Sequence, residues 1–153
     1  MSATFEKELF SASEVNPLST ARYVAQQQGL PYAGGLPPAQ AWALVQAGQA
    51  ILVDVRSAEE RKFVGHVPGS VHVPWATGTS LTRNPRFARE LEAKVGKNAV
   101  VLLLCRSGKR SVQAAQAAAQ AGMLNVFNVL EGFEGDGNPR RGWLRQGLPY
   151  KQD

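Results

Sequence analysis

The sequence holds one cysteine, Cys105, and two histidines, His66 and His72. A lone cysteine makes no internal disulfide, and these three residues have no metal-ligand spacing. Neither a disulfide scaffold nor a metal centre is therefore expected, and no cofactor signature stands out. Gly108-Lys109-Arg110 lacks the upstream glycine and the hydroxyl of a phosphate loop. Long hydrophobic runs are missing too. With no stretch of about 18 apolar residues, no membrane-spanning helix is expected. The opening MSATFEKELF has no basic segment followed by an apolar one, so no signal peptide is apparent. No repeat and no low-complexity segment appears.

What is present fits one ordinary globular domain. The chain has 153 residues, 44% hydrophobic and 19% charged, enough for a real core. The net charge of +5 invites a nucleic-acid reading. The basic residues are scattered, however, with clusters only at 106–110 and at Arg140-Arg141, and no basic helix face or aromatic ladder accompanies them. A positive field that draws small anions to a site is the better account. Neither a nucleic-acid nor a membrane partner is expected. A reactive thiol suits a reducing compartment, so the expected location is cytoplasmic.

The chain is organised around Ala99 to Met123, AVVLLLCRSGKRSVQAAQAAAQAGM. Val100 to Leu104 is a short, bounded apolar run, as expected of a strand buried on both faces. From Ser111 the composition turns to Ala and Gln, strong helix formers, with Gly122 as a stop. Cys105 thus sits at the carboxyl end of a buried strand, in a tight loop opening into a helix. Such a loop can aim several backbone N–H groups at the sulfur, and the helix adds the positive end of its dipole. Arg106, Lys109 and Arg110 add three cations, and Gly108 lets the chain turn. Each feature favours thiolate over thiol, and the same cradle would receive an anion.

Residues 1 to about 18 show no period and are expected to form a mobile tail. A short helix is expected over Ala21 to Gln28, capped by Ser19 or Thr20 and ended by Gly29. Leu30 to Pro38 is Pro/Gly-rich and reads as a connector. The division expected is an N-terminal extension over 1–35, partly flexible with a short helix, then a domain over 36–150 and a tail over 151–153. Within the domain, helices are expected from Pro38 to about Ala47, over Glu59 to Phe63, over Pro85 to Val95 and from Ser111. Strands are expected at Ile51–Val55, Val71–Val73, Val100–Leu104 and Val126–Leu130, with Ala76–Arg83 as a loop. This alternation argues for an α/β fold, a small parallel sheet with helices on both faces. Ligands of such sheets bind at the carboxyl ends of strands, where both Cys105 and Asp54-Val55-Arg56 lie.

Four stretches carry a resemblance. They are Asp54-Val55-Arg56 with Glu60 following, Gly65-His66-Val67-Pro68-Gly69-Ser70, Cys105-Arg106-Ser107-Gly108-Lys109-Arg110-Ser111, and Val129-Leu130-Glu131-Gly132-Phe133 with Trp143 downstream. Over roughly Leu36 to Tyr150 the chain resembles the rhodanese (thiosulfate sulfurtransferase) domain in its single-domain form. The resemblance implies a rhodanese-like fold and a persulfide mechanism. Cys105 would take the outer sulfur of thiosulfate or a similar donor and pass it to cyanide or a thiol. The loop residues Arg106 to Ser111 would bind the small anionic donor, and a sulfur-accepting protein is a further partner it allows. An alternative is a persulfide carrier or regulatory module serving a protein partner. A related fold supports phosphatases with a Cys-x5-Arg loop, but here the spacing is Cys-x4-Arg, one residue shorter. That cradle suits one sulfur atom better than a phosphoryl group, which leaves a Cys-dependent phosphatase or arsenate reductase as the lesser reading.

Supporting roles follow from residue type. Asp54 and Arg56 are expected to form a structural ion pair, because a buried carboxylate needs a partner. His66 is expected to fix its turn through a hydrogen bond, and His72 to be a plain strand residue. Trp75 either lines the pocket mouth or packs in the core. Trp42 and Trp143 are read as core or rim, and Arg140-Arg141 as a solvated pair.

Overall fold

The computed structural model describes residues 16–137 and 141–152. The strands are β1 Gly34–Leu36, β2 Ile51–Asp54, β3 Val71–His72, β4 Ala76–Thr77, β5 Thr82–Arg83, β6 Val101–Leu104 and β7 Val126–Val129. The helices are α1 Pro17–Gln28, α2 Pro38–Gln46, α3 Ala58–Phe63, α4 Phe87–Val95 and α5 Lys109–Gln120. Among the described residues, no helix is long and apolar enough to cross a membrane.

Five strands form one parallel sheet in the order β1-β7-β6-β2-β3. Its centre is β6, buried at every residue, as the apolar run Val101–Leu104 dictates. Alternate residues serve opposite faces. Val101 and Leu103 pack with Phe87 and Leu91 of α4 and Ala114, Ala115 and Ala118 of α5. Leu102 and Leu104 pack with Ala21 of α1 and Ala41 and Leu44 of α2. The small alanines of α5 let that helix lie close to the sheet. The architecture is the α/β arrangement expected, with helices on both faces.

Three local expectations need correction. Helix α1 begins at Pro17, not at Ala21, and its cap is Asn16 rather than Ser19 or Thr20. The Asn16 side chain accepts from Leu18 N–H at 2.9 Å and Ser19 N–H at 3.3 Å. Proline at the first helical position is pre-set for that turn, which places Ser19 and Thr20 inside the helix. Second, the supposed connector Leu30–Pro38 contains the edge strand β1, paired with β7 from Gly34–Phe127 to Leu36–Val129. A Cβ at Gly34 would lie 2.6 Å from Ala21 O, so glycine here is what lets α1 and β1 touch. Third, the loop Ala76–Arg83 holds the antiparallel pair β4–β5. The tail expected at the N-terminus lies, up to residue 15, outside the described residues.

The tryptophans are packing residues. Trp75 is 8% exposed, stacks edge-on against Phe87 with centroids 5.4 Å apart, and so belongs to the core. Trp42 and Trp143 meet edge-on at 5.7 Å. Trp143 Nε1 donates to Pro149 O at 2.8 Å, satisfying its buried polar atom.

Candidate active site

Cys105 follows β6 directly, and α5 begins at Lys109, so the loop between them is short. The thiol is 1% exposed. Gly108 N–H donates to Cys105 Sγ at 3.1 Å. Several loop amides were expected around the sulfur; among the described residues Gly108 supplies the one that reaches hydrogen-bond distance. The second partner is a side chain. Ser111 Oγ lies 3.2 Å from Sγ and is itself fully buried.

Ser111 in turn donates to Asn128 Oδ1 on β7. Ser111 has one proton to give. While Cys105 is a thiol, its S–H can face Ser111 Oγ and the serine proton can face Asn128. Negative charge on sulfur draws the serine proton toward Sγ instead. The sulfur, the hydroxyl and the amide therefore form a buried relay, 1%, 0% and 3% exposed in that order. Asn128 was missed from sequence. Its signal was a polar residue inside the buried run Val126–Val129, where an unpaired amide would be costly.

The three loop cations have different situations. Arg106 is 64% exposed at its side chain and makes a loose 3.4 Å contact with Glu134. Lys109 is exposed. Arg110 is committed: Nη1 and Nη2 donate to Glu60 Oε1 and Oε2 at 2.7 and 2.8 Å. Ser57 N–H also donates to Glu60 Oε1, at 3.1 Å, in a capping box that starts α3. Burial raises the Glu60 carboxyl, but the Arg110 and Ser57 hydrogen bonds and the Arg110 charge outweigh it and hold it at about 2. Arg110 is raised by its hydrogen bonds to Glu60, against burial, with help from the charges of Glu60, Cys105 and Asp54. Arg110 thus clamps the loop to α3. Ser107 and Gly108 are half-buried among the exposed and the tied cations.

Behind the loop stands a turn after β7. Phe133 N–H donates to Cys105 O at 2.7 Å and Glu134 N–H to Arg106 O at 2.9 Å. A Cβ on Gly132 would lie 2.5 Å from Arg106 C, so only glycine lets the two backbones approach. The preceding Glu131 sits at φ 70°. Its carboxylate accepts from Gly142 N–H at 2.8 Å and pairs with Arg141 at 3.2 Å. Arg141 also meets Asp136 at 3.3 Å, so it is not merely solvated as expected; Arg140 lies outside the described residues.

Asp54 and Arg56 form a pair with no solvent exposure, Nη2 to Oδ2 at 2.8 Å. Arg61 adds a second cation to Asp54 Oδ2 at 3.0 Å. Arg56 Nη2 also donates to Gly65 O at 2.7 Å, and its guanidinium lies 4.1 Å over the Phe133 ring. The pair therefore fastens the end of β2 to the 65–69 turn and to the turn that backs Cys105. Among the described residues, the hydrogen-bond partners of the sulfur are Ser111 and Gly108, not this pair. His66 is not brought to the sulfur by any contact either. Its ring Nδ1 is buried without a hydrogen-bond partner among the described residues, and its main chain instead bridges Lys151 at 2.9 Å in both directions. The turn is held by backbone, not by the imidazole. His72 does more than expected of a strand residue: Nε2–H donates to Arg56 O at 2.7 Å. Burial lowers its pKa, with the Arg56 carbonyl opposing.

Comparison with known proteins agrees with the fold. A crystal structure of Rv0390 from M. tuberculosis superposes with a TM-score of 0.70 at 41% identity, covering 80% of this chain and 99% of that one. An uncharacterized protein of Rickettsia prowazekii is 36% identical over 110 residues, 71% of this chain and 88% of that protein. Thiosulfate sulfurtransferase GlpE of Actinobacillus succinogenes is 30% identical over 116 residues, 76% of this chain and 88% of that protein. Residues 37–137 match the Rhodanese-like domain family. The chain belongs to the family of rhodanese-like domain proteins, which includes sulfurtransferases.

Proposed function

We propose that this protein is a sulfurtransferase that carries a sulfane sulfur on Cys105, taken from thiosulfate or a similar small anionic donor. The observation that carries the reading is the environment of one atom: Cys105 Sγ, at a strand end, faces the Gly108 N–H and the Ser111 hydroxyl under a rim with Arg106 and Lys109 exposed. The Cys105 thiolate attacks the outer sulfur of thiosulfate. A new S–S bond forms, the sulfur–sulfonate bond breaks, and sulfite leaves with its electron pair. Arg106 and Lys109 hold the sulfonate. A thiolate or cyanide then attacks the terminal sulfur, and Cys105 recovers its electron pair as thiolate. Splitting the transfer into two displacements is covalent catalysis. The Gly108 amide and Ser111 hydroxyl stabilise the charge on sulfur as an oxyanion hole does on oxygen.

With no second cysteine in the sequence, the persulfide is resolved by an outside nucleophile. A reducing compartment such as the cytoplasm keeps Cys105 available for this cycle. The test is intact-protein mass after exposure to thiosulfate. The wild type should gain one sulfur, about 32 Da, as the covalent intermediate, and Cys105→Ala should gain nothing. Equal gain in both proteins, or none in either, removes the reading.

A further inference from the structure

Asn128 has no part in the transfer steps above, yet it is built into the site. It stands on β7 in register with Leu103 of β6, two residues before Cys105. Alternation along the strand puts it on the face of Val126, which packs with the alanines of α5. Its side chain there meets Ser111 in the first turn of α5, and both residues are buried. A polar residue in the otherwise apolar run Val126–Val129 is costly unless paired. The sulfur is already a partner for Ser111, at 3.2 Å. The amide therefore supplies something the sulfur does not supply in every state of the cycle.

The sulfur passes through two anionic states that differ in where the charge sits. In the thiolate, Sγ carries the charge and is a strong acceptor, so the Ser111 proton turns to it. In the persulfide, Sγ is a neutral divalent sulfur, comparable to a thioether, and accepts weakly. The charge has moved to the terminal sulfur. An outside nucleophile has to reach that atom, so it lies toward the open rim and away from Ser111, which is 0% exposed. The hydroxyl then needs another acceptor, and water is shut out. Among the described residues, its other hydrogen-bond partner is Asn128 Oδ1.

We propose that Asn128 is a positioning residue that sets the loading equilibrium of Cys105, accepting the Ser111 hydrogen bond in the persulfide and yielding it to Sγ in the thiolate. This rests on the persulfide reading and adds what governs the balance between the empty and the loaded site. In loading, the Cys105 thiolate bonds to the outer sulfur of thiosulfate, the sulfur–sulfonate bond breaks, and sulfite leaves with that electron pair. Total charge is unchanged and no proton is consumed, so the serine proton only turns between two acceptors. Without Asn128, the thiolate keeps its hydrogen bond from Ser111 while the persulfide loses one. Loss of Asn128 thus favours the empty site.

The test sets thiosulfate against sulfite and reads the loaded fraction by intact mass, at a pH where iodoacetamide alkylation shows Cys105 ionised in every protein compared. Asn128→Leu should lower the loading equilibrium constant about fivefold, the weight of one hydrogen bond between neutral groups. In a Ser111→Ala background the same substitution should leave the constant unchanged, because no hydroxyl is left to satisfy. A merely structural role would change the amount of folded protein and not this constant. An unmoved constant in the first comparison, or an equal fall in the second, overturns the proposal. Should Asn128→Leu fail to fold, the wild type carries the test. With isotope-labelled asparagine, the NMR signal of the Asn128 carboxamide carbon should move downfield when the ionised protein is loaded and return on discharge. A signal that stays in place overturns the proposal. A wild type that takes up no sulfur strikes the persulfide reading itself, and the role of Asn128 falls with it.

Discussion

Glu60→Gln isolates the ion pair that ties the Cys105 loop to α3. Glutamine also serves at the third position of a capping box, so the start of α3 is kept while the negative charge is lost. The magnitude follows from the carboxyl. Lowering it from 4.5 to about 2 sets a ceiling of roughly 3 kcal/mol on what ionisation contributes to stability. The two side chains remain 18% and 19% exposed, and solvent screening reduces that to about 1–2 kcal/mol. The sign is that of a depressed acid. Stability from this group is complete above its unfolded value, near 4.5, and is lost as pH falls through about 2. Urea unfolding of both proteins at a series of pH values measures it. The variant should be less stable at pH 7 by about 1–2 kcal/mol, and the gap should close as pH falls across that window. A gap of the same size at both ends would refute the ionic origin and leave only packing.

Three other outcomes follow from the geometry. Arg106→Ala or Lys109→Ala should raise the KM for thiosulfate more than for an uncharged sulfur donor, since both are exposed cations at the rim; an equal effect in steady-state kinetics would remove them as anion binders. Ser111→Ala should slow persulfide formation about tenfold or more, by taking one of two donors from the sulfur; quench-flow mass measurement reads it, and a wild-type rate would show that Gly108 suffices. Asp54→Ala should cost about 3–5 kcal/mol, because it strips a fully buried Arg56 of its countercharge. A loss below about 1 kcal/mol on chemical denaturation, the range of exposed pairs, would mean that the cavity admits water to Arg56.

Much of the fold was legible because its signals are local. The apolar run before Cys105 is buried from Val101 to Leu104, and the Ala-rich segment from Ser111 lies within α5. Hydrophobic period and run length depend only on neighbours in sequence. Edge strand β1 escaped because three residues, Gly34-Gly35-Leu36, carry no period, and their Pro/Gly setting reads as a connector. It became a strand through pairing with β7, almost a hundred residues away.

The sequence alone determined that one cysteine would sit at a strand end, under a helix N-terminus, among three cations. Tertiary structure decided how far each of those cations is committed. Arg110 finds Glu60 fifty residues earlier, while Arg106 and Lys109 stay exposed. It also decided that Asn128, seventeen residues beyond Ser111, shares the proton that reaches the sulfur. The physical reason is reach: burial patterns are written along the chain, whereas a charge or a polar hydrogen is satisfied by whatever group the folded sheet brings within about 3 Å of it.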